Sequence, residues 1–137
     1  ADVDSMYNTP PCYTIYVMGK VLEWIERNGG AEGMKKRNDE KANLLYDYLD
    51  NSDYYRATAE KGSRSLMNVP FLTKETDAEK ANVINKKFVK EASEAGLVNL
   101  AGHRLVGGMR ASIYNAMSLE GVKALIAFMD KFAKENQ

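Results

Sequence analysis

Gly102-His103-Arg104-Leu105-Val106-Gly107-Gly108-Met109-Arg110-Ala111-Ser112-Ile113-Tyr114-Asn115 is the stretch from which the rest of the chain is read. Its Gly-Gly pair lets the backbone turn sharply or lets a ligand come close, and Gly108 to Ile113 reads as a strand beyond that turn. The stretch holds the single histidine of the protein, with Arg104 beside it and Arg110 six positions on. Two guanidiniums and an imidazole on one loop-to-strand segment form a receiver for phosphate or carboxylate. The planar arginine fork makes two parallel charge-assisted hydrogen bonds to an oxyanion. A surface histidine titrates near neutral pH, so its hold on a dianion depends on pH. On residue types alone a plainer account competes: solvated arginines, and a histidine completing a local hydrogen-bond network.

Downstream of the stretch, Ser118 is expected to cap a last helix whose Val122, Leu125, Ile126, Met129 and Phe132 face a core. Upstream, Leu97 to Leu100 reads as a brief strand leading into it. Before that, Thr76-Asp77 opens a helix with Ala81, Ile84, Phe88 and Ala92 inward, and Gly96 ends it. Ser65 to Leu72 is the best central-strand candidate. Pro70 removes a ladder donor, so the strand is expected to lie at an edge or a bulge there. Tyr54 to Thr58 is a shorter strand, entered by the turn Asn51-Ser52-Asp53. The polar link from Glu60 to Arg64 is a turn in which no functional site is read.

Two helices precede the strands. One spans Ala31 to about Leu49 with Ala42, Leu45 and Leu49 on its inner line, and Lys35-Lys36-Arg37 as a solvated end. The other runs from Tyr13 to Arg27 and stops at Asn28-Gly29-Gly30. It is apolar at Ile15, Val17, Met18, Val21, Leu22, Trp24 and Ile25, wider than one buried stripe needs. Such a face is either wedged between domains or subunits or packed in a core. Asn8-Thr9-Pro10-Pro11 is a helix-entry turn in which Thr9 is expected to cap and proline to occupy the first helical positions. Two leading helices, then strand, strand, helix, strand, strand and helix, describe an α+β fold: a small mixed or antiparallel sheet covered by helices.

Composition narrows the function classes. At 137 residues the chain makes one modest core, and 19 basic against 19 acidic residues leave no formal net charge. That balance argues against a general nucleic-acid or membrane-surface binder. Cys12 stands alone and forms no intramolecular disulfide, no apolar run reaches transmembrane length, and the acidic opening lacks the layout of a signal peptide. The default expectation is cytoplasmic. One histidine and one distant cysteine make no metal cluster. No nucleophile elbow, Walker loop or dinucleotide fingerprint is present.

The words His103-Arg104, Val106-Gly107-Gly108-Met109-Arg110-Ala111-Ser112-Ile113-Tyr114-Asn115 resemble the C-terminal signature of phosphoserine aminotransferases. Tyr7-Asn8-Thr9-Pro10-Pro11, Arg64-Ser65-Leu66-Met67-Asn68-Val69-Pro70-Phe71 and Leu119-Glu120-Gly121-Val122 agree with that family in the same order, over nearly the whole chain. The resemblance implies the small C-terminal domain of a fold-type I enzyme dependent on pyridoxal 5'-phosphate. It implies amino transfer from glutamate to phosphohydroxypyruvate, giving phosphoserine, in serine biosynthesis, and leaves open whether vitamin B6 synthesis is also served. Residue by residue, it implies that Arg110 clamps the substrate α-carboxylate. His103 and Arg104 bind the substrate phosphate or the glutamate side-chain carboxylate, and Asn8 and Thr9 reach the cofactor phosphate of the other subunit of a homodimer. Leu105 departs from the small polar residue often seen there.

The resemblance further implies a chain truncated to its final third, with residues 1–28 ending a large domain and forming a connecting helix, and 29–137 forming the small domain. The sequence opens without a methionine, which methionine removal or truncation would each explain, and the resemblance favours truncation. The Schiff-base lysine would then lie upstream, and the role falls to none of the lysines present, so the fragment alone is expected to be inactive. A different class of function is also open: a non-catalytic module that binds a phosphorylated or carboxylated metabolite, or an assembly domain.

Overall fold

The structure, a computed structural model, describes residues 4, 7–103 and 107–136. The chain divides into two compact units, residues 1–36 and 37–137.

The first unit holds α1 (Cys12–Arg27). Its entry differs from the sequence expectation. Pro11 is the N-cap, no side chain caps the first turn, and both prolines lie ahead of the helix. The backbone closes the turn instead, the Cys12 N–H donating to the Pro10 carbonyl at 2.9 Å, so Thr9 is left out of the helix cap. Asn28 ends the helix and Gly29 follows at φ 92°, a left-handed conformation suited to glycine. None of the α1 residues is buried; Ile15, Met18, Val21 and Leu22 are exposed. The next helix, α2 (Gly30–Asn51), begins in this unit and continues into the second.

Beyond α2 the second unit contains β1 (Tyr55–Ala57), a short 3-10 turn (Lys61–Ser63), β2 (Asn68–Thr73), α3 (Ala78–Glu94), β3 (Met109–Ser112) and α4 (Leu119–Glu135). The three strands form one antiparallel sheet in the order β1-β2-β3. The fold is α+β with an antiparallel sheet, as the sequence led one to expect. Along β2 and β3 side chains alternate strictly: Val69, Phe71, Thr73, Met109 and Ala111 are buried, while Asn68, Pro70, Arg110 and Ser112 point to the other face.

Two expectations are corrected. Pro70 is neither at an edge nor at a bulge; it sits within the central strand, opposite Arg110 of β3. Its carbonyl accepts from the Thr58 N–H at 3.2 Å, so its own bonding edge faces β1. Ala57, the last residue of β1, pairs with Phe71, which places Pro70 just past the end of that ladder. The missing donor therefore interrupts neither ladder.

The strand expected over Leu97–Leu100 is also absent. Gly96 at φ 86° and the Leu97 N–H, which bonds back to the Ala92 carbonyl at 2.8 Å, wind up the end of α3. Asn99 at φ 63° then breaks extended geometry, and pairing with β3 begins only at Leu100.

Helices α3 and α4 begin where short side chains satisfy free N–H groups. Asp77 accepts from the Glu79 and Lys80 amides, and Ser118 accepts from the Gly121 amide. Between sheet and helices lies a core of Leu45, Leu49, Tyr55, Phe71, Phe88, Val122, Met129 and Phe132. Phe88 is its hub, meeting Tyr55, Phe71, Phe128 and Phe132 edge to face with centroids 5.0 to 5.9 Å away.

Candidate functional site

Residues 100–103 run antiparallel along the free side of β3. The Arg110 N–H donates to the Leu100 carbonyl at 2.8 Å, the Gly102 N–H to Gly108 at 2.9 Å, and the Gly107 N–H to His103 at 2.7 Å. Glycines make this ribbon possible. A Cβ on Gly102 would collide with the Gly107 carbonyl oxygen and stand 2.8 Å from that of Gly108. Gly107 and Gly108 are both left-handed, at φ 74° and 66°.

The ribbon thus carries His103 on one arm and Arg110 on the other. His103 is exposed. Arg104, with Leu105 and Val106, lies outside the described residues, so its expected part in anion binding has no structural description. Arg110 is partly buried, and its Nε is buried without a hydrogen-bond partner among the described residues. A desolvated, unpaired donor on a permanent cation is costly unless an acceptor arrives.

Neighbouring side chains on the same face of the sheet form a polar chain. The Ser112 hydroxyl donates to Asn68 Oδ1 at 3.0 Å, and Asn68 Nδ2 donates to the Tyr114 hydroxyl at 2.8 Å. Asn8 and Thr9, in the first unit, are both exposed, just ahead of α1.

Behind β3 lies a group that sequence reasoning passed over. Lys41 of α2 is fully buried, and its ammonium donates to the carbonyls of Ile113, Tyr114 and Met117 at 3.0, 2.8 and 3.0 Å. Burial, with the Arg37 charge adding to it, pushes the Lys41 ammonium below the ordinary lysine range. One turn earlier Asn38, also buried, donates from Nδ2 to Asn115 Oδ1 at 2.7 Å. A signal was available: Asn38 and Lys41 fall on the helical line of Ala42, Leu45 and Leu49, so two polar residues share the inner face. A charge so placed has to find buried acceptors.

Other conspicuous groups have structural partners. Arg64 makes a two-pronged contact with Asp50, Nη1 and Nη2 lying 2.9 and 2.6 Å from its oxygens, and stacks over the Tyr46 ring at 4.4 Å. A groove of ≈540 Å³ bordered by α2 and α4 is lined by Asp47, Asp53 and Asp130 with Tyr48 and Tyr54. Its carboxylates have the wrong sign for an anionic substrate. Among the described residues no helix is long and apolar enough to cross a membrane.

Comparison with known proteins bears directly on the ribbon. The sequence matches the aminotransferase class-V family over residues 1–125. It is 55% identical over 137 residues to the phosphoserine aminotransferase of Laribacter hongkongensis, covering 99% of this chain and 36% of that protein. The solved phosphoserine aminotransferase of Bacillus circulans subsp. alkalophilus superposes with a TM-score of 0.90 at 43% identity, over 99% of this chain and 36% of that one. A PLP-bound phosphoserine aminotransferase from Trichomonas vaginalis gives a TM-score of 0.81 at 37% identity, over 91% of this chain and 34% of that one. The chain spans about a third of the length of these relatives. With the family matched across residues 1–125, this chain belongs to the class-V aminotransferases.

Proposed function

We propose that this chain is the C-terminal portion of a phosphoserine aminotransferase, which moves an amino group between glutamate and 3-phosphohydroxypyruvate to give 3-phosphoserine and 2-oxoglutarate. The reading draws on relatives of that name and on one observation of the site, the buried Nε of Arg110, which has no partner among the described residues. A carboxylate supplies the two acceptors that a guanidinium edge requires, so Arg110 holds the α-carboxylate shared by both substrates. His103 and Arg104 take the phosphate of one substrate and the side-chain carboxylate of the other, which lets one pocket serve both.

Pyridoxal 5'-phosphate, when bound, supplies the electron sink for the transfer. Asn8 and Thr9 offer an amide and a hydroxyl at exposed positions, a donor set that fits phosphate oxygens. In this reading they serve the cofactor phosphate of the other subunit, and the enzyme works as a homodimer in the cytoplasm. The lysine that holds the cofactor belongs to the upstream part of the longer polypeptide. Lys41, the buried lysine among the described residues, has all three N–H groups engaged by carbonyls. Residues 1–28 then end the large domain and form the connecting helix, and 29–137 form the small domain. The exposed apolar residues of α1 agree with a helix that the rest of a longer enzyme covers.

The test is Arg110→Lys in the complete enzyme. An ammonium loses the two-pronged geometry, and kcat/KM for glutamate is expected to fall roughly tenfold to a hundredfold. Unchanged kinetics for both substrates would remove Arg110 from the site. His103→Ala and Arg104→Ala are expected to lose mainly the phosphorylated substrate; an equal loss with a non-phosphorylated analogue would remove their phosphate role.

A further inference from the structure

We propose that Lys41, supported by Asn38, is a positioning residue that sets the depth and register of Arg110 from behind the sheet. The proposal rests on the reading of Arg110 as the carboxylate clamp.

A lysine is rarely buried completely unless its charge is paired. Lys41 is 0% exposed, and its hydrogen-bond partners are backbone carbonyls rather than a carboxylate. An ammonium has three N–H donors, and three carbonyls meet them. The carbonyls come from Ile113, Tyr114 and Met117, three, four and seven residues after Arg110. They turn toward one point because a buried cation sits there, and their dipoles offset part of its desolvation.

The location gives the arrangement its consequence. β3 is only four residues long, and Arg110 is its second. At its entry Gly107 and Gly108 are left-handed, and the Gly102 and Gly107 amides tie that end to the 100–103 arm, which itself borders solvent-exposed residues. At its exit the chain is tied three ways. The Ile113 N–H bonds to the Met67 carbonyl at 2.8 Å, Lys41 gathers the three carbonyls, and Asn38 holds Asn115 at 2.7 Å. The β2 ladder and Asn68 hold β3 from one side of the sheet, and the contacts from α2 are what hold its exit from behind. A slip of one residue would turn Arg110 into the core and Ala111 out of it. A much smaller displacement already matters for a two-pronged contact, since misplacement by about 1 Å costs on the order of a hundredfold in rate.

The experiment uses the complete enzyme with steady-state kinetics for glutamate. Lys41→Met keeps the aliphatic stem and leaves the three carbonyls unpaired. It is expected to raise KM for glutamate roughly tenfold, with a smaller change in kcat. In an Arg110→Lys background the same substitution is expected to change KM less than twofold, because the group it positions is already gone. Full multiplication of the two effects would mean that Lys41 acts on substrate binding independently of Arg110, and would overturn the proposal. Should Lys41→Met fail to fold, Asn115→Ala cuts the milder tie from α2. It is expected to raise KM about two- to threefold in the wild-type background and not at all beside Arg110→Lys; no rise in either background would overturn the proposal. If Arg110→Lys raises KM while both α2-tie variants leave it unchanged, positioning fails and the clamp stands. If Arg110→Lys itself leaves KM unchanged, the clamp reading fails, and the positioning proposal with it.

Discussion

At the scale of single residues, the ribbon depends on what is missing from Gly102 as much as on what Arg110 carries. A methyl group at 102 has no room, because the Gly107 carbonyl already occupies its place. Gly102→Ala is expected to force the 100–103 arm away from β3 and to destabilise the enzyme by about 1–3 kcal/mol, as overpacked sites do. The midpoint of denaturant unfolding checks this, and a wild-type midpoint would mean that the two arms separate freely. In the sequence the anion-site reading of His103, Arg104 and Arg110 rests on the resemblance, since residue types alone leave a plainer account open. The need for glycine at 102 was not, because it comes from a carbonyl five residues away that pairing brings overhead.

At the scale of elements, the helices were the most legible parts. Phe88 and Ala92 of α3 and Val122, Leu125, Met129 and Phe132 of α4 face inward as their spacing predicted, and Asp77 and Ser118 cap them. The connections between elements were less legible. Arg64, read as part of a plain polar link, staples that link to the end of α2 through Asp50. The hydrogen bond from Arg64, followed by its charge and that of Lys61, holds the Asp50 carboxyl below its ordinary range. A carboxyl whose folded value lies below its unfolded one contributes stability that is present above the unfolded value, about 3.9, and is lost as pH falls through the folded one. The wild-type protein is therefore expected to lose stability on acidification from about pH 5 downward. Asp50→Asn is expected to lose less over the same range, and parallel unfolding curves for the two proteins would exclude the staple as a source of acid sensitivity.

At the scale of the whole molecule, the chain spans about a third of the relatives it matches, and α1 leaves Ile15, Met18, Val21 and Leu22 exposed. On the proposed reading the chain acts only as part of a longer enzyme. The 137-residue chain by itself is expected to form no 2-oxoglutarate from glutamate and phosphohydroxypyruvate when pyridoxal phosphate is added. A coupled assay for 2-oxoglutarate reads the outcome. Turnover above the protein-free rate would restore catalysis to this chain and require one of its own lysines to hold the cofactor.

The sequence by itself determined the α+β class, α3 and α4 with their Asp77 and Ser118 caps, and the centrality of the strand around Val69 and Phe71. Each of these follows from local spacing or residue type, which neighbours in the chain decide. Only the tertiary structure decided that Pro70 sits harmlessly in a central strand, because that depends on where β1 ends. The same holds for the ribbon along β3, which begins at Leu100 because Gly96 and Asn99 first turn the chain out of extended geometry. It also decided that Lys41, an ordinary lysine in the sequence, lies buried behind the site, since its acceptors are carbonyls 72 to 76 residues away. Backbone acceptors carry no mark in the amino-acid code, and folding alone makes them converge.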